Sequence, residues 1–150
     1  MNERKSKQFR EITRILERNL ESINSNDCSL CSISTAQCHT LVEIGRKKDS
    51  MLKDLAATLR IDVSTASKVV EELVKKGFVK REPSSLDRRS VQINLSEEGK
   101  RIFEQIENDM DLIFEEIFGF IDPLKQDEFL HSLSLYNQAI EQWKAAKEHE

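Results

Sequence analysis

Between Met51 and Leu95 the chain sets out, in order, two short runs of helical periodicity, a glycine, and two short runs of strand-like alternation. Few folds accommodate that succession. The segment "MLKDLAATLRI" places Leu52, Leu55, Ala56 and Leu59 on one helical face, because residues three and four apart share a face. Only Ile61 and Asp62 separate it from "VSTASKVVEELVKKG". There Ala66, Val69, Val70, Leu73 and Val74 share one face, and Ser64, Thr65, Ser67, Lys68, Glu71 and Lys75 take the other. Asp62 or Ser64 is placed to cap this second helix, and Gly77 to stop it in a left-handed conformation. Phe78-Val79-Lys80-Arg81 and Val91 to Leu95 then read as strands. "PSSLDRRS" joins them into a hairpin. Helix, tight turn, helix and basic hairpin together describe a winged helix-turn-helix.

The flanks are helical. Residues 3–24 carry Phe9, Ile12, Leu16, Leu20 and Ile23 at helical spacing, and "SNDCSLCS", residues 25–32, reads as a polar loop. Ser34 or Thr35 caps a helix through about Arg46, with Leu41 and Ile44 on its inner side. Ser96-Glu97-Glu98 opens a long helix, a cap followed by carboxylates in the positively polarised first turn. Its seam is Phe103, Ile106, Met110, Ile113 and Ile117. Gly119 and Asp122-Pro123 interrupt it, and a last helix repeats the rhythm with Phe129, Leu133, Tyr136, Ile140 and Trp143. Three long amphipathic helices flank a centre too small to cover them, so their seams are expected at a subunit interface. The expected fold is mainly α with a small β-hairpin (α+β), one domain over 1–150. Residues 34–101 form the winged helix-turn-helix lobe, and 1–33 and 102–150 supply dimerisation helices and a cysteine loop.

Charge is uneven along the chain. The formal net charge is -4 and the pI near 5.5, yet residues 60–103 hold 10 basic against 7 acidic side chains, and residues 104–150 hold 3 against 12. A basic region inside an acidic protein suits an anionic partner. Arg88 and Arg89 sit at the hairpin tip, where no core can use them. By themselves they read as a solvated turn with a local Asp87 salt bridge. With the second helix upstream, they read as a wing reaching the minor groove of double-stranded DNA, whose narrow form concentrates negative potential. The small hydroxyls Ser64, Thr65 and Ser67, with Lys68, allow close approach to base edges and phosphates. Lys75 and Lys76 read as a solvated helix end, favourable to the macrodipole.

Other classes find little support. No apolar run approaches the roughly 20 residues that cross a bilayer, and the basic N-terminus lacks the apolar block of a signal peptide. A cytoplasmic protein without a membrane partner is expected. There is no glycine-rich phosphate loop and no carboxylate pairing that points to acid–base chemistry, so no enzyme and no required cofactor are expected.

From Thr35 to Arg101 the chain resembles the MarR family of bacterial winged-helix transcription factors. "DVSTASKVVEELVKKGFVKR", "DRRS" and "LSEEGK", in that order and spacing, carry the resemblance, and the flanking helices match in layout. The resemblance implies a homodimer joined by its terminal helices, binding a pseudo-palindromic operator, usually as a repressor released by an effector. It implies that Arg89 enters the minor groove, oriented by Asp87, and that Ser64, Thr65, Ser67 and Lys68 lie on the recognition-helix face. It also implies a ligand pocket between the dimer helices and the winged domain.

The signal is sought in "CSLCSISTAQCH", which holds Cys28, Cys31, Cys38 and His39. Cys38 has Leu41 and Gly45 at helical spacing and reads as a small buried hydrophobe. Cys28 and Cys31 lie in a polar loop that gives them no core. Two thiols three positions apart can join in a disulfide or share a soft metal ion, which Cys38 or the other subunit would complete. Cys38 and His39 project about 100° apart on a helix, which makes joint ligation awkward. Inert cysteines, thiol oxidation and metal or metalloid binding all stand as readings. The alternative function is a thiol- or metal-binding module whose winged helix makes protein contacts in place of DNA contacts.

Overall fold

The computed structural model describes residues 3–27 and 33–148. Its elements are α1 (Glu3–Asp27), α2 (Thr35–Arg46), α3 (Leu52–Leu59), α4 (Val63–Lys75), β1 (Val79–Pro83), β2 (Val91–Leu95), α5 (Glu97–Gly119), a 3-10 turn (Pro123–Lys125) and α6 (Gln126–Glu148). The fold is mainly helical with one antiparallel hairpin, a winged helix-turn-helix with long helices at either end. The chain divides into two compact units, Met1–Asp109 and Met110–Glu150.

In the first unit the core is made where α2, α3, α4, the hairpin and the start of α5 meet. Leu41, Ile44, Ala66, Val70, Leu73 and Ile93 are almost wholly buried, and Ile33, Cys38, Leu55, Ala56, Val69, Val79, Leu95, Ile102 and Ile106 are buried with them. Burying each large aliphatic side chain stabilises the fold by about 1.5–3 kcal/mol. The predicted inner faces of the three short helices are those that pack. Val74 is the exception: the stripe of α4 reaches it, but the last turn runs past the core and leaves it 36% exposed.

Local signals set the boundaries. Ser34 and Gln37 close a capping box at the start of α2, each side chain serving the other's backbone N–H. Asp62 caps α4 by accepting from the Thr65 backbone N–H at 2.8 Å. At the far end the Gly77 N–H donates to the Val74 carbonyl and the Phe78 N–H to the Leu73 carbonyl. Gly77 has φ +82, the left-handed conformation that this pair of hydrogen bonds requires. That pair captures Phe78, so β1 begins one residue later than expected and runs on to Pro83. Proline is tolerated there because the hairpin leaves it on an edge.

The register pairs Val79 with Leu95 and Pro83 with Val91. The Ile93 N–H donates to the Ser50 carbonyl at 2.7 Å, adding a single bridge from the α2–α3 turn. Asp49 and Asn94 exchange hydrogen bonds at 2.8 and 3.0 Å and fix the same junction. Ser96 ties the start of α5 to the end of α4. Its hydroxyl donates to the Gly77 carbonyl at 2.6 Å and accepts from the Gly99 N–H at 3.1 Å. A Cβ on Gly99 would stand 1.9 Å from the Phe78 carbonyl oxygen, so only glycine fits that approach.

α1 runs to Asp27, so residues 25–27 are helical where the composition reads as loop; the remainder of the expected cysteine loop, 28–32, lies outside the described residues. Within α1, Phe9, Ile12, Ile15 and Leu20 are exposed.

In the second unit Asp122 caps the 3-10 turn by accepting from the Leu124 N–H at 3.0 Å, with Pro123 at the first position. No described residue of α6 is buried, and its apolar positions Phe129, Leu133 and Trp143 stand exposed. Among the described residues no helix is long and apolar enough to cross a membrane.

Candidate nucleic-acid interface

α4 packs one face into the core and turns Ser64, Thr65 and Lys68 outward, with Ser67 half-buried at the edge. The front of the helix is not a row of free hydroxyls. The Ser64 hydroxyl donates to the Asp62 carboxylate at 2.9 Å. Bonds from the Thr65 hydroxyl, the Thr65 N–H and the Ser64 hydroxyl hold the Asp62 carboxyl below its usual 3.8. Ser64 and Thr65 therefore face outward with oxygen lone pairs, their protons committed to the cap. Lys68 has no ion pair among the described residues. Glu71, the one carboxylate on this front, is paired with Lys75 at 3.4 Å.

Lys76 departs from the expected solvated helix end. Its ammonium donates to Gln37 Oε1 at 2.8 Å, across to α2. Lys75 matches that reading, in an exposed pair of the kind worth little.

The hairpin tip is built around Ser84, a buried serine just past β1. Its hydroxyl oxygen accepts from the Leu86 and Asp87 N–H groups and from Gln92 Nε2, at 3.2, 3.4 and 3.3 Å. The Ser84 N–H donates to the Ser90 carbonyl at 2.8 Å, and the Ser90 N–H to the Asp87 carbonyl at 3.0 Å. Asp87 Oδ1 accepts the Arg89 backbone N–H at 2.9 Å. The local salt bridge weighed from sequence is absent: Asp87 holds the Arg89 main chain, and neither guanidinium has an ion pair among the described residues. An Asp two residues before its partner closes such a turn through its side chain. Arg88 and Arg89 both stand exposed, as does Leu86 between them and the strand.

A cavity of about 420 Å³ opens between α2, the hairpin and α5. Ile44, Leu95 and Phe103 give it an apolar floor, and Lys48, Lys80 and Lys100 a basic rim. Lys80 and Lys100 are already paired with Glu82 and Glu97.

Of the sensor candidates, Cys38 and His39 lie among the described residues, and these two are not brought together. Cys38 is buried on α2 and His39 is exposed on the next position, as a 100° step requires. Cys28 and Cys31 lie outside the described residues. Among the described residues no group of three His, Cys, Asp or Glu could hold a metal ion.

Three positions of the site were not singled out by sequence: Gln37, Glu72 and Ser84. Gln37 is legible as a capping-box residue after Ser34, and Ser84 as a turn serine after Pro83. Nothing local marks Glu72, which accepts from Gln37 Nε2 at 2.9 Å.

Residues 33–91 match the profile of the MarR family. The uncharacterized HTH-type transcriptional regulator YfiV of Bacillus subtilis (strain 168) is 28% identical over 142 residues, 93% of this chain and 89% of that protein. A MarR family protein from Bacillus stearothermophilus superposes with a TM-score of 0.84 at 21% identity, over 93% of this chain and 98% of the other. FabT of Streptococcus pneumoniae, solved in complex with DNA, gives a TM-score of 0.79 at 21% identity over 92% and 98%. At that identity the structures speak for the fold. The profile match falls on α2, α3, α4, β1 and the basic tip. Residues 33–91 thus carry the MarR family profile, on a fold shared with solved MarR regulators.

Proposed function

We propose that the protein is a repressor that binds a pseudo-palindromic operator in double-stranded DNA as a homodimer and is released by an effector. The observation that carries the DNA contact is the hairpin tip. Asp87 is used on a backbone N–H, so two guanidinium charges are presented with no partner in the described fold. Arg89 is assigned to the minor groove and Arg88 to phosphate. On α4, Ser67 and Lys68 are assigned as donors to the DNA. Ser64 and Thr65 are assigned as acceptors, because their hydroxyl protons already go to the Asp62 carboxylate.

The homodimer is supported by the exposed apolar positions of α1 and α6, which water makes costly. Two α4 helices related by a two-fold axis would read half-sites about one helical turn apart. Release is assigned first to the thiols. Oxidation of Cys28 and Cys31 by a peroxide would form one disulfide and reduce the peroxide to water or alcohol; a soft metal or metalloid is the second route. A small molecule in the 420 Å³ cavity is the third.

Selection of bound fragments from random genomic DNA tests the reading, followed by titration of the selected site with wild type and Arg89→Ala. Enrichment of a palindromic site and weaker binding by Arg89→Ala are expected. Equal affinity would remove the wing from the interface. No enrichment would favour the protein-contact module. Repeating the titration with peroxide, zinc or arsenite, in Cys28→Ser, Cys31→Ser and Cys38→Ser, decides among the effectors.

A further inference from the structure

Gln37 is a buried amide, 7% exposed, at the start of α2. Its two polar atoms make three bonds. Oε1 accepts from the Ser34 N–H at 3.2 Å and from the Lys76 ammonium at 2.8 Å, and Nε2 donates to Glu72 Oε2 at 2.9 Å. The amide orientation is dictated by its neighbours, since a backbone N–H and an ammonium need an acceptor and a carboxylate needs a donor. Only an amide bridges a cation and an anion in this way while serving the capping box.

Glu72 on α4 and Lys76 at its C-cap lie 35 and 39 positions away in sequence, one turn apart. Two attachments one turn apart resist both sliding and rotation of α4 on α2, which apolar packing resists less because it is not directional. Glu72 and Lys76 lie toward the end of α4, and the proposed DNA-facing residues 64–68 toward its beginning. A rigid helix carries a rotation at one end to the other.

We propose that Gln37 is a positioning residue for the recognition helix: the Gln37–Glu72–Lys76 clasp sets the angle at which α4 presents Ser67 and Lys68, without touching DNA. The same side chain caps the helix that follows the cysteine segment, so a displacement of Ser34 acts on α4 through one amide. This inference rests on the DNA-binding reading above.

The test exchanges the two side chains. Gln37→Glu keeps the capping box, which accepts Glu or Gln at that position, and keeps acceptors for Ser34 and Lys76. It fails only toward Glu72, where two carboxylates would meet. The double variant Gln37→Glu/Glu72→Gln restores one donor against one acceptor with the same net charge. Operator affinity is measured by fluorescence anisotropy on the selected site, with folding checked by circular dichroism.

We expect Gln37→Glu to bind about tenfold more weakly, and the double variant to return to within about threefold of wild type. A folded single variant with wild-type affinity overturns the proposal, as does a folded double variant no better than the single. If the single variant does not fold, the double variant decides: recovery of folding and affinity supports the clasp, and failure overturns it. Wild-type protein that selects no site overturns the DNA-binding reading and this inference together. Wild-type binding with unaffected variants overturns the inference alone.

Discussion

The helix-turn-helix lobe and the helices at the ends of the chain are written in the same amphipathic code, but they use it differently. In the lobe, α2 and α4 meet across a closed core, and Leu41 and Leu73 have no exposed surface. α1 carries as regular a stripe, and Phe9, Ile12 and Leu20 on it remain exposed; no described residue of α6 is buried. A short helix between other short helices finds partners on several sides. A long helix with a single stripe needs another long surface. An amphipathic pattern therefore establishes that a face wants covering and does not say what covers it.

The contrast can be broken most forcefully in the core. Leu41→Ala should destabilise the folded chain by about 3–5 kcal/mol in urea titrations, through lost transfer energy and a residual cavity. Ile12→Ala should change the same titration, run at dilute protein, by less than about 0.5 kcal/mol. Equal losses would mean that α1 already has its partner within the subunit.

Next in size is the assembly. Phe9→Glu with Ile12→Glu should shift sedimentation toward a monomer while the lobe stays folded, since charge in an apolar interface is costly. A wild-type chain that is monomeric at micromolar concentration would sink the homodimer.

Arg89→Ala should weaken operator binding by roughly 1–3 kcal/mol, about five- to 150-fold, with the thermal midpoint unchanged. A fall in both would mean that the guanidinium supports the fold and not the interface.

The smallest effect is expected at Asp62. Its carboxyl is held below 3.8 by the Thr65 and Ser64 bonds. The stability it supplies is thus complete above the unfolded value and is lost as pH falls through the lower folded value. The gap between wild type and Asp62→Asn should be constant near neutrality and close only below about pH 4. A gap that closes near pH 6 would point to another group.

How much of this was legible follows from the kind of interaction. The buried faces of α2, α3 and α4 were legible because a 3.6-residue period is a local property. Val74 was over-read because the stripe says nothing of where the core ends. Gly77 was legible as a stop because few other residues adopt its backbone angle. Residues 25–27 were misread because Ser, Asn and Asp favour turns, and α1 continues through them. The basic tip was legible as charge. That Asp87 would take the Arg89 backbone and not its guanidinium was not, since both partners lie within reach.

By itself, then, the sequence determined the order of elements, their caps and stops, the apolar faces and the location of unneutralised charge, because each depends on neighbours a few residues apart. The tertiary structure alone decided which polar groups meet. It joined Gln37 to Glu72 and Lys76, Asp49 to Asn94 and Ser96 to Gly77. It also placed Gly99 where the Phe78 carbonyl forbids a methyl group. Hydrogen bonds and close approaches depend on angstrom-scale direction between distant segments, and only the packed core brings those segments into register.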